Sequence, residues 1–469
     1  MTTELAISQD TLPPRSDAAA DASAPDPRLA ALTARFGDLG VLTSTLRRLA
    51  LDLEAVIGSQ LTAIIEAPEF KEMEARWAGL ASVVWSKRSA QTVKIKLLDL
   101  NWDELSRDLH YTSETRKSVL FTLMGRRELD TLGGEPFGIA MLDRGLSMSL
   151  ETEFDDLYTA QLICGLAEAV MCPIIMGVAD DFFGETDAAW FTDCRRISNI
   201  LNGEDYRGWQ ALRSVSNARF LGLVMPGTQL RGRYEDLDIG FRFHQWPSES
   251  DGLWASGCYA FLRTVVAEFL RCAWFGFLKL VGSDPGQGAV LAPTEHPIPA
   301  GCTRGERARI RMTRNTAHHY SEFGFIPLAE STKSNLPYFV GNRSVEDCNG
   351  SATREVITQL QSVMIACRIV HYVKVQIRGL IGQVTSPSEC ERILNDWFDP
   401  YISASIGSTE MQASFPLQGA RVSVSEAPSD HARFQCEILV RPQYQIDNVM
   451  GDITLRTDFG APKLGAVAA

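Results

Sequence analysis

A chain of 469 residues is longer than one ordinary hydrophobic core supports, so two packed domains with tails are expected. Its 45% hydrophobic and 22% charged content excludes a mainly disordered polymer, and its net charge of −13 argues against a nucleic-acid binder, which needs a basic face to meet phosphates. The ten cysteines are scattered, with no C-x-x-C pair and no Cys/His cluster at zinc spacing, and read as reduced, mostly buried small hydrophobes.

Residues 1–27 are rich in Ala, Asp, Ser, Pro and Thr without periodicity, which predicts a flexible arm. The same stretch lacks the basic and apolar regions of a secretory signal, so a cytoplasmic protein is expected. Leu46, Leu49, Leu53, Val56, Ile57, Leu61, Ile64 and Ile65 form a helical stripe that stops near Pro68, and a second helix is expected over Glu69–Leu80. Val93, Ile95 and Leu97 alternate with Lys94 and Lys96, the pattern of a half-exposed strand, and Trp102–Leu109 has helical spacing.

The clearest pattern follows: a strand around Phe137–Leu142, a helix around Asp155–Met171 and a short apolar run at Pro173–Val178. Strand, helix, strand implies parallel pairing through a crossover. It repeats as a helix at Gly208–Val215 and a strand at Arg219–Met225, so the expected fold class is mixed α/β with a three-layer sheet-and-helix core. Between Pro226 and Trp254 the chain turns polar and glycine-rich, Leu253–Phe277 is expected as a long helix, and 282–306 as a Gly/Pro-rich loop or domain crossover. The Gln161–Ala179 and Tyr259–Gly282 windows are interrupted by charges or proline, so no membrane insertion is expected. Strands are then expected at Phe325–Leu328 and Tyr338–Val340, one continuous helix over Thr353–Arg378, and a capped helix over Ser386–Phe398. Ala420–Ser425, Phe434–Arg441 and Asn448–Asp458 alternate with period two and form a carboxy-terminal antiparallel meander.

Candidate chemistry is thin. Gly133–Gly138 and Gly282–Gly288 lack any G-x-G-x-x-G or G-x-x-x-x-G-K-[ST] pattern, so the first reads as a turn, the second as a flexible connection, and a nucleotide-dependent α/β enzyme is the remote alternative. His318 and His319 are adjacent and point about 100° apart on a helix, which prevents chelation as a pair. His371 has no Asp, Ser or Cys constellation beside it and reads as a packed helix histidine. No serine stands in G-x-S-x-G and no cysteine has a catalytic setting; no catalytic, metal or cofactor-binding residue is assigned, and no cofactor is expected. Glu389, Glu391, Asp396 and Asp399 cluster on one helix, a solvated face or an acidic docking face for a basic partner.

Phe70–Leu80 (FKEMEARWAGL), Leu132–Phe137 (LGGEPF), Phe323–Leu328 (FGFIPL), Val370–Arg378 (VHYVKVQIR), Cys390–Trp397 (CERILNDW), Phe415–Val424 (FPLQGARVSV) and Arg441–Gln445 (RPQYQ) together resemble the large subunit of type VI secretion contractile sheaths, the TssC/VipB family. The sequence departs from that pattern in its short amino-terminal arm, after Trp274 and over Arg309–His319, which leaves room for a sheath-end paralogue or a baseplate or scaffold protein of the same machine.

The resemblance implies a phage-tail-sheath-like fold and a structural role without catalysis. It implies as partners a small sheath subunit, further copies of the chain in a six-start helical assembly, an inner tube protein, a baseplate, and an AAA+ recycling unfoldase reached through the small subunit. The expected organisation is a flexible arm (1–27), a helical linker region (28–110), an outer α/β domain (111–300) and an inner domain (301–469) that ends in a strand-exchange region. Because a bare three-stranded meander invites pairing by its neighbours, Val422, Val424, Phe434, Ile438, Val440, Ile453 and Leu455 are expected at a strand-exchange interface. Glu389, Glu391, Asp396 and Asp399 are expected to face the inner tube.

Overall fold

The computed structural model describes residues 39–87, 92–148, 153–184, 191–245, 251–276, 278, 289–291, 297–305, 307–330, 336–380, 386–403, 414–427, 430–443 and 452–460, together with 28, 31, 34 and 35. The arm over 1–27, the Gly282–Gly288 loop and most of the linker before the last strand lie outside the described residues. The chain divides into two compact units, Met1–Leu61 and Thr62–Ala469.

Helix α1 (Leu39–Glu66) is longer than the predicted stripe, and Pro68 opens α2 (Pro68–Ser86) at the position where a missing N–H costs nothing. The predicted strand at Val93–Leu97 joins no ladder among the described residues. Its alternation has another cause. Val93 and Ile95 pack against the cluster of Val83, Ala255, Tyr259 and Val266, while Lys94 pairs with Glu135 and Lys96 reaches Glu128 at 2.7 Å. Helix α3 (Trp102–His110) follows, with Asn101 and Glu104 forming a capping box.

The parallel repeat is present as β1 (Ala140–Leu146), α4 (Asp156–Val170), β2 (Ile174–Val178), α5 (Cys194–Leu201), α6 (Arg207–Ser214) and β3 (Leu221–Met225). The three strands pair in parallel in chain order. The polar stretch after Pro226 holds a strand the sequence did not announce, β4 (Thr228–Tyr234), flanked by β5 (Gly252–Ala255) and β6 (Cys302–Arg304). Helix α7 (Gly257–Cys272) follows β5, so the predicted long helix starts as a strand.

After α8 (Arg314–Glu322), β7 (Phe325–Glu330) joins β3 in parallel and β8 (Pro337–Phe339) closes the sheet antiparallel, giving the order β1-β2-β3-β7-β8. One sheet therefore draws strands from both sides of position 300, where separate outer and inner domains were expected.

This sheet is the middle of three layers. Leu221, Leu223 and Met225 of β3 enter one core with α5, α6 and α8, where Trp209 stacks on Phe325 at 5.3 Å. Val224 enters the opposite core with Ile175 and Ile326, under α4 and α7. Gly222 lies on that second face, where a Cβ would stand 3.0 Å from Leu360 and Ile326, so glycine permits the close approach of the next helix.

The single helix predicted over Thr353–Arg378 is two, α9 (Ala352–Ile357) and α10 (Leu360–Leu380). Asn342 causes the break by capping α10 from a distance: its carbonyl accepts from Leu360 N at 2.7 Å and its side chain from Gln361 N at 2.9 Å. Helix α11 (Pro387–Phe398) and the strands β9 (Leu417–Ala427), β10 (Asp430–Pro442) and β11 (Ile453–Gly460) complete the chain as an antiparallel meander.

The carboxy-terminal sheet as candidate assembly site

Alternation along the three strands gives the meander one dry face. Val422, Val424, Cys436, Ile438, Val440, Ile453 and Leu455 are buried in the core shared with α10 and α11, while Arg421, Ser423, Ser425 and Leu439 face out. Six of the seven residues expected at the strand-exchange interface thus fill this chain's own core, and the Phe434 side chain lies outside what is described. Any pairing with a neighbour would run through backbone edges. Arg441 on β10 holds Asp452, just before β11, with two bonds of 2.7 and 3.0 Å, and the guanidinium keeps that carboxyl below its usual pKa.

Helix α11 is built by Ser386, whose hydroxyl accepts from Glu389 N, and by Pro387 at its first turn. Cys390, Leu394 and Phe398 recur at four-residue spacing and are buried. The three acids on the helix and Asp399 at its carboxy-terminal cap do not share a face. Glu389, Asp396 and Asp399 are exposed in one row with Arg392, which pairs with Asp396 at 3.1 Å. Glu391 turns instead to the sheet, and its Oε2 accepts from Val424 N at 3.2 Å. One turn on, Asn395 completes a contact that the sequence reading missed: its Nδ2 donates to Val422 O at 2.9 Å and its Oδ1 accepts from Val422 N at 3.0 Å.

Elsewhere the side chains with chemical potential are occupied structurally. His319 Nε2 lies 3.0 Å from both Ser198 Oγ and Cys194 O, with Glu322 3.7 Å from Nδ1. The Ser198 hydroxyl also donates to Cys194 O at 2.9 Å, so the three groups tie α8 to the first turn of α5. His371 is buried under the α4 terminus, where burial lowers its pKa to about 4. Burial likewise pushes the Cys436 thiol up to about 12, which leaves no thiolate at neutral pH. Gly133, with φ of 82°, lies in the predicted turn before β1. No described helix is long and apolar enough to cross a membrane.

The chain is thus a three-layer α/β body that carries a one-faced antiparallel meander. The VipB model (EvpB/VC_A0108, tail sheath N-terminal domain) matches residues 47–346, and the companion tail sheath gpW/gp25-like domain matches 349–459. The chain belongs to this tail-sheath family.

It is 24% identical over 422 residues to the type VI secretion system sheath protein TssC1 of Pseudomonas aeruginosa, a span of 86% of this chain and 83% of that protein. Among solved structures, the sheath tail protein of Desulfitobacterium hafniense aligns at a TM-score of 0.30 and 10% identity over 66% of this chain and 62% of that one, so the chain spans under two thirds of that protein. A chain of the anti-feeding prophage baseplate aligns at a TM-score of 0.33 and 10% identity over 79% of this chain and 80% of that one.

Proposed function

We propose that this chain is the large structural subunit of a type VI secretion contractile sheath, co-assembling in the cytoplasm with a small sheath subunit into a helical tube. In this reading the tube surrounds a secreted inner tube, stands on a baseplate, contracts to drive the inner tube outward, and is recycled by an AAA+ unfoldase through the small subunit. The observation that carries the reading is the succession of both tail-sheath models along residues 47–459.

Surface chemistry supports the need for partners. Helix α1 exposes Leu46, Leu49, Leu53 and Val56, and α2 exposes Met73 and, at 65%, Trp77, an apolar density that a lone subunit has no use for. A helical tube needs head-to-tail contacts that propagate instead of closing, and strands added at a sheet rim supply them with directional hydrogen bonds while their linkers stay extensible. Contact with the inner tube belongs to Glu389, Asp396 and Asp399, since Glu391 is committed to β9. Co-expression with the cognate small subunit and negative-stain microscopy test the proposal. Long tubes are expected; lone monomers in the presence of the small subunit would sink it.

A further inference from the structure

The meander has two outer strands, and they differ. In a strand pair each outward residue meets one donor and one acceptor from its neighbour. The Asn395 carboxamide offers Val422 both at once, donating to its carbonyl and accepting from its N–H, and Glu391 accepts from the next outward amide, Val424. The spacing fits. Four residues of helix rise about 6 Å and two residues of strand about 6.8 Å, so side chains one helical turn apart reach successive outward positions of an extended neighbour.

The opposite rim has no such cover. Because Val422 N–H points away from β10, its partner Ile438 must point its backbone groups at Leu455, which leaves those of Thr454, Arg456 and Asp458 facing outward on β11. Among the described residues none bonds them.

We propose that α11 acts as a built-in surrogate strand that closes the β9 edge, so that the meander can be extended only at β11. The second half of this statement rests on the strand-sharing assembly proposed above; the first does not. Closure of one rim makes the sheet directional. Two bare rims would let a neighbour's strand add at β9 as well as β11 and would invite off-register aggregates, whereas one rim leaves β11 as the single place where a neighbour's strand is received.

Hydrogen–deuterium exchange on the full chain, read at single amides by electron-transfer fragmentation, tests the closure directly. The Val422 and Val424 amides should be protected like interior ladder amides, while those of Thr454 and Arg456 exchange as an open edge. Asn395→Ala should speed exchange at Val422, and Glu391→Ala at Val424, by about tenfold or more. Glu391→Gln, which keeps an acceptor oxygen and serves as the folding control, should leave Val424 protected.

The Asn395→Ala/Glu391→Ala double variant should self-associate in sedimentation velocity, and a Ser423→Cys reporter on its exposed face should cross-link between chains in that background alone. Fast exchange at Val422 in the unaltered chain, or a double variant with open amides and no new association, overturns the proposal. Failure of the sheath reading would look different: the protection pattern would hold while co-expression with the small subunit gave no tubes.

Discussion

Two buried side chains set the sharpest single-residue expectations. Arg231 on β4 is nearly inaccessible and forks onto Glu74 of α2 with two bonds of 2.7 Å. Removing one partner of such a pair leaves an uncompensated buried charge, so Glu74→Ala should lower the unfolding free energy by about 3–5 kcal/mol in urea titrations. His371 responds to pH instead. Its folded pKa of about 4 lies below the usual 6.5 because burial disfavours the imidazolium, with Arg368 and Lys374 pushing the same way. Between those values the unfolded chain binds the extra proton, so the stabilisation is complete above about pH 6.5 and is lost as pH falls toward 4. The loss amounts to about 3 kcal/mol, and His371→Leu should flatten that part of the stability profile.

Elements that follow local rules were legible in the sequence, and those built by distant partners were not. Asn342→Ala illustrates the second kind: it removes the acceptor for Gln361 N and the donor to Leu278 O, both buried, and should cost about 2–3 kcal/mol and fray α10 from its first turn. Circular dichroism with thermal melts checks this. The β1-α4-β2 repeat was readable because Ile174–Val178 is a buried parallel strand bracketed by a helix whose cap, Asp155, is local. The break between α9 and α10 was not, since the apolar period runs straight through it and the cap comes from Asn342. Strand β4 hid for a related reason: Arg231 and Gln229 help make its stretch polar, yet one is neutralised by Glu74 and the other donates to Asp251 O at 2.9 Å. In the candidate site the strands and the α11 start were visible as alternation and a Ser-Pro cap. The division of labour among the acids was invisible, because whether Glu391 meets water or Val424 depends on where β9 lies.

For the whole molecule, the question is how much of the body depends on the meander that assembly would use. Among the described residues, the core on one side of the five-stranded sheet, around Trp209, Phe325 and Tyr320, includes none from the carboxy-terminal strands. On the other side β11 contributes Ile453 and Leu455, packed beside α10 residues. Losing the burial of these two aliphatic side chains costs about 3–6 kcal/mol, and the β10–β11 ladder goes with them, a local loss set against a sheet and core that extend over most of the chain. Deleting Asn448–Ala469 should therefore leave the helical and strand signals of the α/β body in circular dichroism while removing the rim at which a neighbour's strand would add. Co-expressed with the small subunit, the truncated chain is expected to form no tubes by electron microscopy. Tubes of normal length would show that assembly does not pass through β11, and would move the shared contacts to the exposed apolar faces of α1 and α2.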